Sequence, residues 1–182
     1  VKPAVAQSQA HAIARMATVV DILKHKDEGN TLYKAKDYTA AIQAYSKGVK
    51  LLPDLDEDDG SNSVHISAEV RKQAAVLLCN RSAAQMAEKK AVAALVDAQR
   101  AADFDSSNWK AHWRTGLALM MMEIRLEKSE QAVAAFQRTL ACPSLPESER
   151  DNVAKALSHA QYRLREGRDA LDMPDMSNCI LS

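Results

Sequence analysis

The sequence predicts an all-α chain built as a stack of antiparallel helix pairs. Three observations carry that expectation. A run of small residue, aromatic, alanine, aromatic, small residue and proline reads Gly29, Tyr38, Ala41, Tyr45, Gly48, Pro53, and weaker copies of it return twice. Hydrophobic residues make up 47% of the 182 positions, yet aromatics make up only 4% and glycines number 5. That balance suits helices packed through alanine rather than sheets, which favour β-branched and aromatic side chains. No apolar run approaches the roughly 20 residues of a membrane span.

Each element follows from the same pattern. In the first pair Gly29 and Ala41 are small where two helices cross, and Tyr45 fills the space between them. Lys36-Asp37 makes the turn and Pro53 stops the second helix. Ahead of this pair, Ile13, Met16, Val20 and Leu23 follow helical spacing, so residues 1–21 are expected to form a leading helix. After Pro53 comes an insertion that opens with the acidic run Asp54–Asp59. Its end, Ser67 to Gln73, reads as helix, so the first helix of the second pair should begin near Ser67 and project beyond the stack. Ser82, Ala94, Ala98 and Ala101 take the small positions of that pair, with Lys89-Lys90 at the turn. Asp105-Ser106-Ser107 stands where a proline closed the first copy, and is expected to cap the next helix.

A third copy starts at Trp109 and shows Gly116, Ala132, Phe136 and Thr139 before Pro143. The wider spacing between Gly116 and Ala132 predicts an enlarged turn near Arg125–Ser129. Pro146 to Glu149 open a final helix to about Arg165, with Val153, Ala156, Leu157, Ala160 and Leu164 on one stripe. The expected organisation is a leading segment over 1–21, a repeat domain over 22–166 and a flexible polar tail over 167–182.

Charge and cysteine usage exclude several function classes. The 24 basic and 24 acidic residues cancel, so the chain lacks the overall basic footprint of a nucleic-acid binder. Cys79, Cys142 and Cys179 are too few and too far apart for a disulfide framework, which points to a reducing, cytoplasmic setting. No phosphate-cradling glycine loop, nucleophile elbow or zinc-protease motif is present. His25, His112 and His159 lack metal-ligand spacing. Asp54 to Gly60 departs from a calcium loop, with its glycine one place late and His65 where a glutamate belongs. Met120, Met121 and Met122 read as core packing. The chain is therefore expected to be no enzyme and to carry neither metal nor cofactor.

Five polar residues stand apart. Lys26 and Asn30 lie one helical turn from each other on the first helix of the first pair, and Lys110 and Arg114 do so in the third. Asn80 sits on the corresponding helix between them. Two lysines and an arginine supply donors, and the asparagines add amide donors. Cations sharing one groove repel each other unless an anion joins them. This is a set built to hold a carboxylate.

From Ile22 to Ser144 the repeated residues resemble the tetratricopeptide-repeat (TPR) family, whose unit is about 34 residues. The resemblance implies three pairs of helices, A then B, in a right-handed superhelix closed by a capping helix, with the A helices lining a peptide-binding groove. Lys26 to Asn30, Asn80 to Ala84 and Lys110 to Arg114 are similar to the dicarboxylate clamp of TPR co-chaperones. Those proteins hold the Glu-Glu-Val-Asp C-terminus of the seventy- and ninety-kilodalton heat-shock chaperones. By that resemblance Lys26, Asn30 and Asn80 would hold the terminal carboxylate and last aspartate. Lys110 and Arg114 would hold the aspartate side chain and upstream backbone. A monomer suffices for this. Two other readings fit the same residues: a scaffold that binds an unrelated acidic peptide, and the non-catalytic half of a larger enzyme such as a peptidyl-prolyl isomerase. Finally, Cys179-Ile180-Leu181-Ser182 matches a prenylation box whose serine specifies farnesyl. A farnesyl on Cys179 would give reversible contact with the cytosolic face of a membrane, weakly helped by Arg163, Arg165 and Arg168.

Overall fold

The computed structural model describes residues 19–52, 67–122 and 125–172, and every regular element among them is a helix. Helix α1 occupies residues 19–34. It is followed by α2 (Tyr38–Val49), α3 (Ala68–Ala87), α4 (Ala91–Phe104), α5 (Trp109–Met120), α6 (Leu126–Ala141) and α7 (Glu147–Asp172). Sequential helices pack on one another from α2 to α7, and α3 also touches α5. The helices are therefore paired as α1–α2, α3–α4 and α5–α6, with α7 covering α6. Among the described residues no helix is long and apolar enough to cross a membrane.

The small residues act where the pattern placed them. A Cβ at Gly29 would lie 2.3 Å from Tyr45 Cε1, and one at Gly116 would lie 2.4 Å from Phe136 Cε1. In both pairs an aromatic ring therefore rests on bare backbone of the facing helix. The middle pair solves the crossing differently, with Ser82 Oγ donating to the Ala94 carbonyl at 2.8 Å. Ala41, Ala94, Ala98, Ala101 and Ala132 are fully buried, as are Phe136 and Thr139. The tight A–B turns use left-handed backbone at Lys36 (φ 64) and Lys89 (φ 58). Asp37 then caps α2 by accepting from Ala40 N at 3.0 Å. The core forms two clusters, one from Ile22 and Tyr45 through Leu77, Leu78 and Phe104, the other from Leu95 and Leu119 through Phe136 to Val153 and Ala160.

The early start of α3 is as expected: Ser67 caps it by accepting from Val70 N. Other expectations are corrected. Val20 is 62% exposed, and the buried residue of that turn is Ile22, because Ile22 faces α2 and α3. Ile13 and Met16 lie outside the described residues. The cap of α5 is Asn108, accepting from Lys110 N at 3.1 Å. Asp105 is instead tied to Ser107, through its N at 3.0 Å and its Oγ at 2.6 Å, a local Asx-type turn that leaves its carboxylate no helix N–H to cap. The enlarged turn is largely helix: α6 starts at Leu126 and buries Ser129. The extra residues lengthen α6 at its N-terminus, where it meets α7. That last helix runs to Asp172 rather than about Arg165, so the tail expected from 167 begins with helix. Gly167 sits against Leu126 of α6, which extends the packed seam past the stripe visible in the sequence. Met120 and Met122 pack on the second core, whereas Met121 is 43% exposed. The acidic run 54–59 lies outside the described residues.

Two arginines brace the stack. The Arg81 guanidinium makes a two-pronged pair with Asp97, both contacts at 2.6 Å, and also reaches Ser46 Oγ at 3.1 Å. It thus joins α2, α3 and α4. Arg163 of α7 donates to the carbonyls of Met120 at 2.6 Å and Met122 at 3.1 Å. It satisfies orphan acceptors at the end of α5. It is buried and so cannot serve as the surface charge expected of it.

Candidate functional site

The five singled-out residues come from α1, α3 and α5, the A helices of the three pairs. Lys26 and Asn30 stand on α1, Asn80 on α3, Lys110 and Arg114 on α5. The two asparagines meet directly, Asn80 Nδ2 donating to Asn30 Oδ1 at 2.9 Å. The same oxygen accepts from the Tyr45 hydroxyl at 2.9 Å. Both lone pairs of Asn30 Oδ1 are thereby used, which leaves its amide nitrogen as the remaining polar group of that side chain.

Lys26 reaches from α1 to α3, where Nζ donates to Gln73 Oε1 at 3.0 Å. Lys110 is exposed, with Nζ over the ring of Trp109 at 5.7 Å. Lys110 lies in the first turn of α5, a turn with no acidic residue, so its charge adds to the positive end of the helix dipole. Arg114 is the most enclosed of the cations. Its Nε is buried without a hydrogen-bond partner. Burial lowers the pKa of its guanidinium, and the nearby Cys79, Tyr33 and Tyr45 oppose that shift. The guanidinium stays charged, since arginine is not deprotonated in proteins. Among the described residues no carboxylate forms an ion pair with Lys26, Lys110 or Arg114.

The groups that bind these residues together are apolar or neutral. Cys79, next to Asn80, is buried and its thiol is pushed up to about 12 by desolvation, with Arg114 and Lys110 acting against the rise. Burial likewise pushes the Tyr45 hydroxyl to about 12, again moderated by Arg114. Both groups are therefore neutral. They place Arg114 beside the Asn30–Asn80–Tyr45 cluster. A pocket of about 290 Å³ opens beside it, lined by Val76, Cys79, Asn80, Asp105, Trp109 and Lys110 among others. Asp105 is the one acid of this lining, and its Oδ1 is already held by Ser107.

Sequence reasoning missed Tyr45 and Gln73 as partners of the set. Tyr45 was legible only as a packing residue. Gln73 lies on the projecting start of α3, where no repeat position marks it. His112 of α5 turns its Nε2 to the Ser106 carbonyl at 2.9 Å. Among the described residues no cluster of histidine, cysteine or acid could hold a metal ion. Cys179 lies outside the described residues.

No model of a known protein family matches the sequence. Over 118 residues the chain is 35% identical to the protein unc-45 homolog B of Xenopus laevis, an alignment that spans 65% of this chain but 11% of that protein. The chain thus spans about a tenth of that relative's length. Among solved structures, the C-terminal TPR-containing domain of a Plasmodium falciparum FK506-binding protein superposes with a TM-score of 0.68 at 16% identity, over 85% of this chain and 95% of that one. The first TPR of Spaghetti (RPAP3), solved with the HSP90 peptide SRMEEVD, superposes with a TM-score of 0.53 at 26% identity, over 85% of this chain and 95% of that one. The three helix pairs and this likeness give the chain the tetratricopeptide-repeat fold, similar in architecture to those two domains.

Proposed function

We propose that the chain is an adaptor that captures the acidic C-terminal tail of heat-shock chaperones of the ninety- or seventy-kilodalton class. Lys26, Asn30, Asn80, Lys110 and Arg114 form the clamp. The observation that carries this reading is the set of cations without acids: Arg114 is enclosed with Nε unpartnered, and no described carboxylate pairs with it or with either lysine. A tail ending in aspartate brings two carboxylates to one place. Those anions replace the missing partners with charge-assisted hydrogen bonds. The Asn30 amide, fixed by Tyr45 and Asn80, offers its N–H donors to the same anion. The peptide held by the first TPR of Spaghetti, which ends in Glu-Glu-Val-Asp, has this chemistry.

The test is a calorimetric titration with a peptide ending in Glu-Glu-Val-Asp and with its C-terminal amide. The amide removes one negative charge and leaves the side chains intact. The clamp requires that the amide lose most of the affinity. Each charge-assisted bond contributes about 1.5–3 kcal/mol, so Arg114→Ala and Lys110→Ala should each weaken binding by about tenfold or more. Equal affinity for the acid and the amide would refute the assignment.

A further inference from the structure

The projecting start of α3 offers a feature that the repeat does not require. Lys26 Nζ donates to Gln73 Oε1 at 3.0 Å, and Gln73 Nε2 donates to Glu69 Oε1 at 2.7 Å. The orientation of this amide follows from chemistry alone. An ionised carboxylate only accepts and an ammonium only donates. Gln73 must therefore turn its nitrogen to Glu69 and its oxygen to Lys26. Glu69 and Gln73 are one turn apart on the stretch of α3 that precedes the repeat pattern at Ala75.

We infer that Gln73 is a positioning residue of the carboxylate clamp, a neutral spacer that fixes the Lys26 ammonium on the α3 side of the trough while keeping it unpaired. This rests on the tail-binding reading given above. Three physical points support it. A free lysine loses much of its side-chain entropy when it is immobilised. A lysine already anchored by Gln73 has lost part of that before the ligand arrives, which is preorganisation in the ordinary sense. The amide oxygen carries only a partial charge, so it orients Lys26 without cancelling its field. An acid at the same place would do the opposite. The Glu69 carboxylate, one helical turn before Gln73, is bonded by the amide nitrogen at 2.7 Å. The insertion between the first two helix pairs thus supplies an arm that reaches back to the first A helix.

The experiment is a set of titrations of the full chain with the Glu-Glu-Val-Asp peptide and its amide. Gln73→Ala should weaken the free-acid peptide about three- to fivefold, from the entropy returned to Lys26, and Gln73→Glu about tenfold or more, from direct pairing with Lys26. In a Lys26→Ala background Gln73→Ala should have no further effect, since a residue acting through Lys26 has nothing left to act on. Additive losses for Lys26→Ala and Gln73→Ala, or undiminished binding by Gln73→Glu, would overturn the inference while leaving the clamp standing. Binding of the unaltered chain that ignores the free carboxylate would remove the clamp and this role with it. Gln73 is half-buried on a helix whose core face lies elsewhere, and equal unfolding midpoints of the variants would separate these effects from misfolding.

Discussion

Gly29→Ala puts one methyl group where the fold and the trough depend on the same ring. The added Cβ would stand 2.3 Å from Tyr45 Cε1, 2.4 Å from Cδ1 and 2.7 Å from Cζ. Carbon atoms in contact sit about 3.5–4.0 Å apart, so the ring must retreat by more than an ångström. Tyr45 is only 1% exposed and is packed in the first core cluster, so no free space receives it. Overpacking of this kind costs about 1–3 kcal/mol. Moving the ring also stretches the bond from its hydroxyl to Asn30, about 1 kcal/mol more. Alanine returns about 1 kcal/mol through its higher helix propensity. The net expectation is a loss of about 1–3 kcal/mol, read as a drop of roughly 3–10 °C in Tm for a domain of this size.

Gly167→Ala is the matched control. Its Cβ would meet Leu126 at 3.9 Å, an ordinary contact, and its place in α7 leaves only the propensity gain of up to about 1 kcal/mol. The same substitution should therefore change stability in opposite directions at the two positions. Thermal and urea unfolding followed by circular dichroism would measure both. A Gly29→Ala protein as stable as the parent would refute the close-crossing argument. Since Gly29 adjoins Asn30, the displaced ring should also weaken binding of the tail peptide in protein that is still folded.

Three further expectations follow from the buried polar groups. Asp97→Ala strands the Arg81 guanidinium and should cost about 3–5 kcal/mol, whereas replacing both partners by apolar residues of similar size should cost much less; urea unfolding distinguishes the two. Arg163→Ala leaves the Met120 and Met122 carbonyls without their donor and should cost about 1–3 kcal/mol per buried group, with Arg163→Lys restoring only part because it lacks the planar fork. Burial raises the Cys79 thiol from 9.0 to about 12 and the Tyr45 hydroxyl from 10.0 to about 12. A raised folded-state pKa favours the neutral form. Its contribution is complete below the unfolded value and is lost as pH rises toward the folded one. Stability should therefore fall above pH 9, by about 1.4 kcal/mol per unit and group, and Cys79→Ala should flatten the fall between pH 9 and 10.

The fold was legible because its crossings need small residues at fixed offsets. Gly29 with Ala41, and Ser82 with Ala94, each mark a pair without any knowledge of its neighbours. The turns were legible at Lys36-Asp37 and Lys89-Lys90 for the same local reason. The reach of α7 was not, because Gly167, which sits against Leu126 of another helix, lies beyond the apolar stripe that marks the helix in the sequence. Val20 misled because helical spacing names a face but not which face finds a partner. The placement of the five candidate residues on the three A helices was legible, through pairs one turn apart on α1 and α5. Their supporting contacts were not: Gln73 and Lys26 are separated by the whole first pair and the insertion, and Arg163 reads as a surface charge until it is seen against the end of α5.

The three enclosed arginines separate structure from function. Arg81 has an acid and a hydroxyl, and Arg163 has two carbonyls, all from the chain itself. Arg163 shares with Arg114 a buried, unpartnered Nε and the lack of an acid, but its terminal nitrogens meet those carbonyls, whereas Arg114 makes no hydrogen bond to the described residues. Arg114 is part-buried, and a cation partly withdrawn from water with neither counter-charge nor hydrogen-bond partner costs the free protein stability. Arg114→Leu should accordingly raise the stability of the free domain, by about 1 kcal/mol, while abolishing the gain on adding the tail peptide. If the parent chain binds the tail as proposed, that gain would be about 2.7 kcal/mol with peptide at a hundred times Kd. Thermal unfolding with and without peptide measures both quantities. If the leucine variant is less stable than the parent, Arg114 is held by the fold after all, and its unpaired charge is no signature of a ligand.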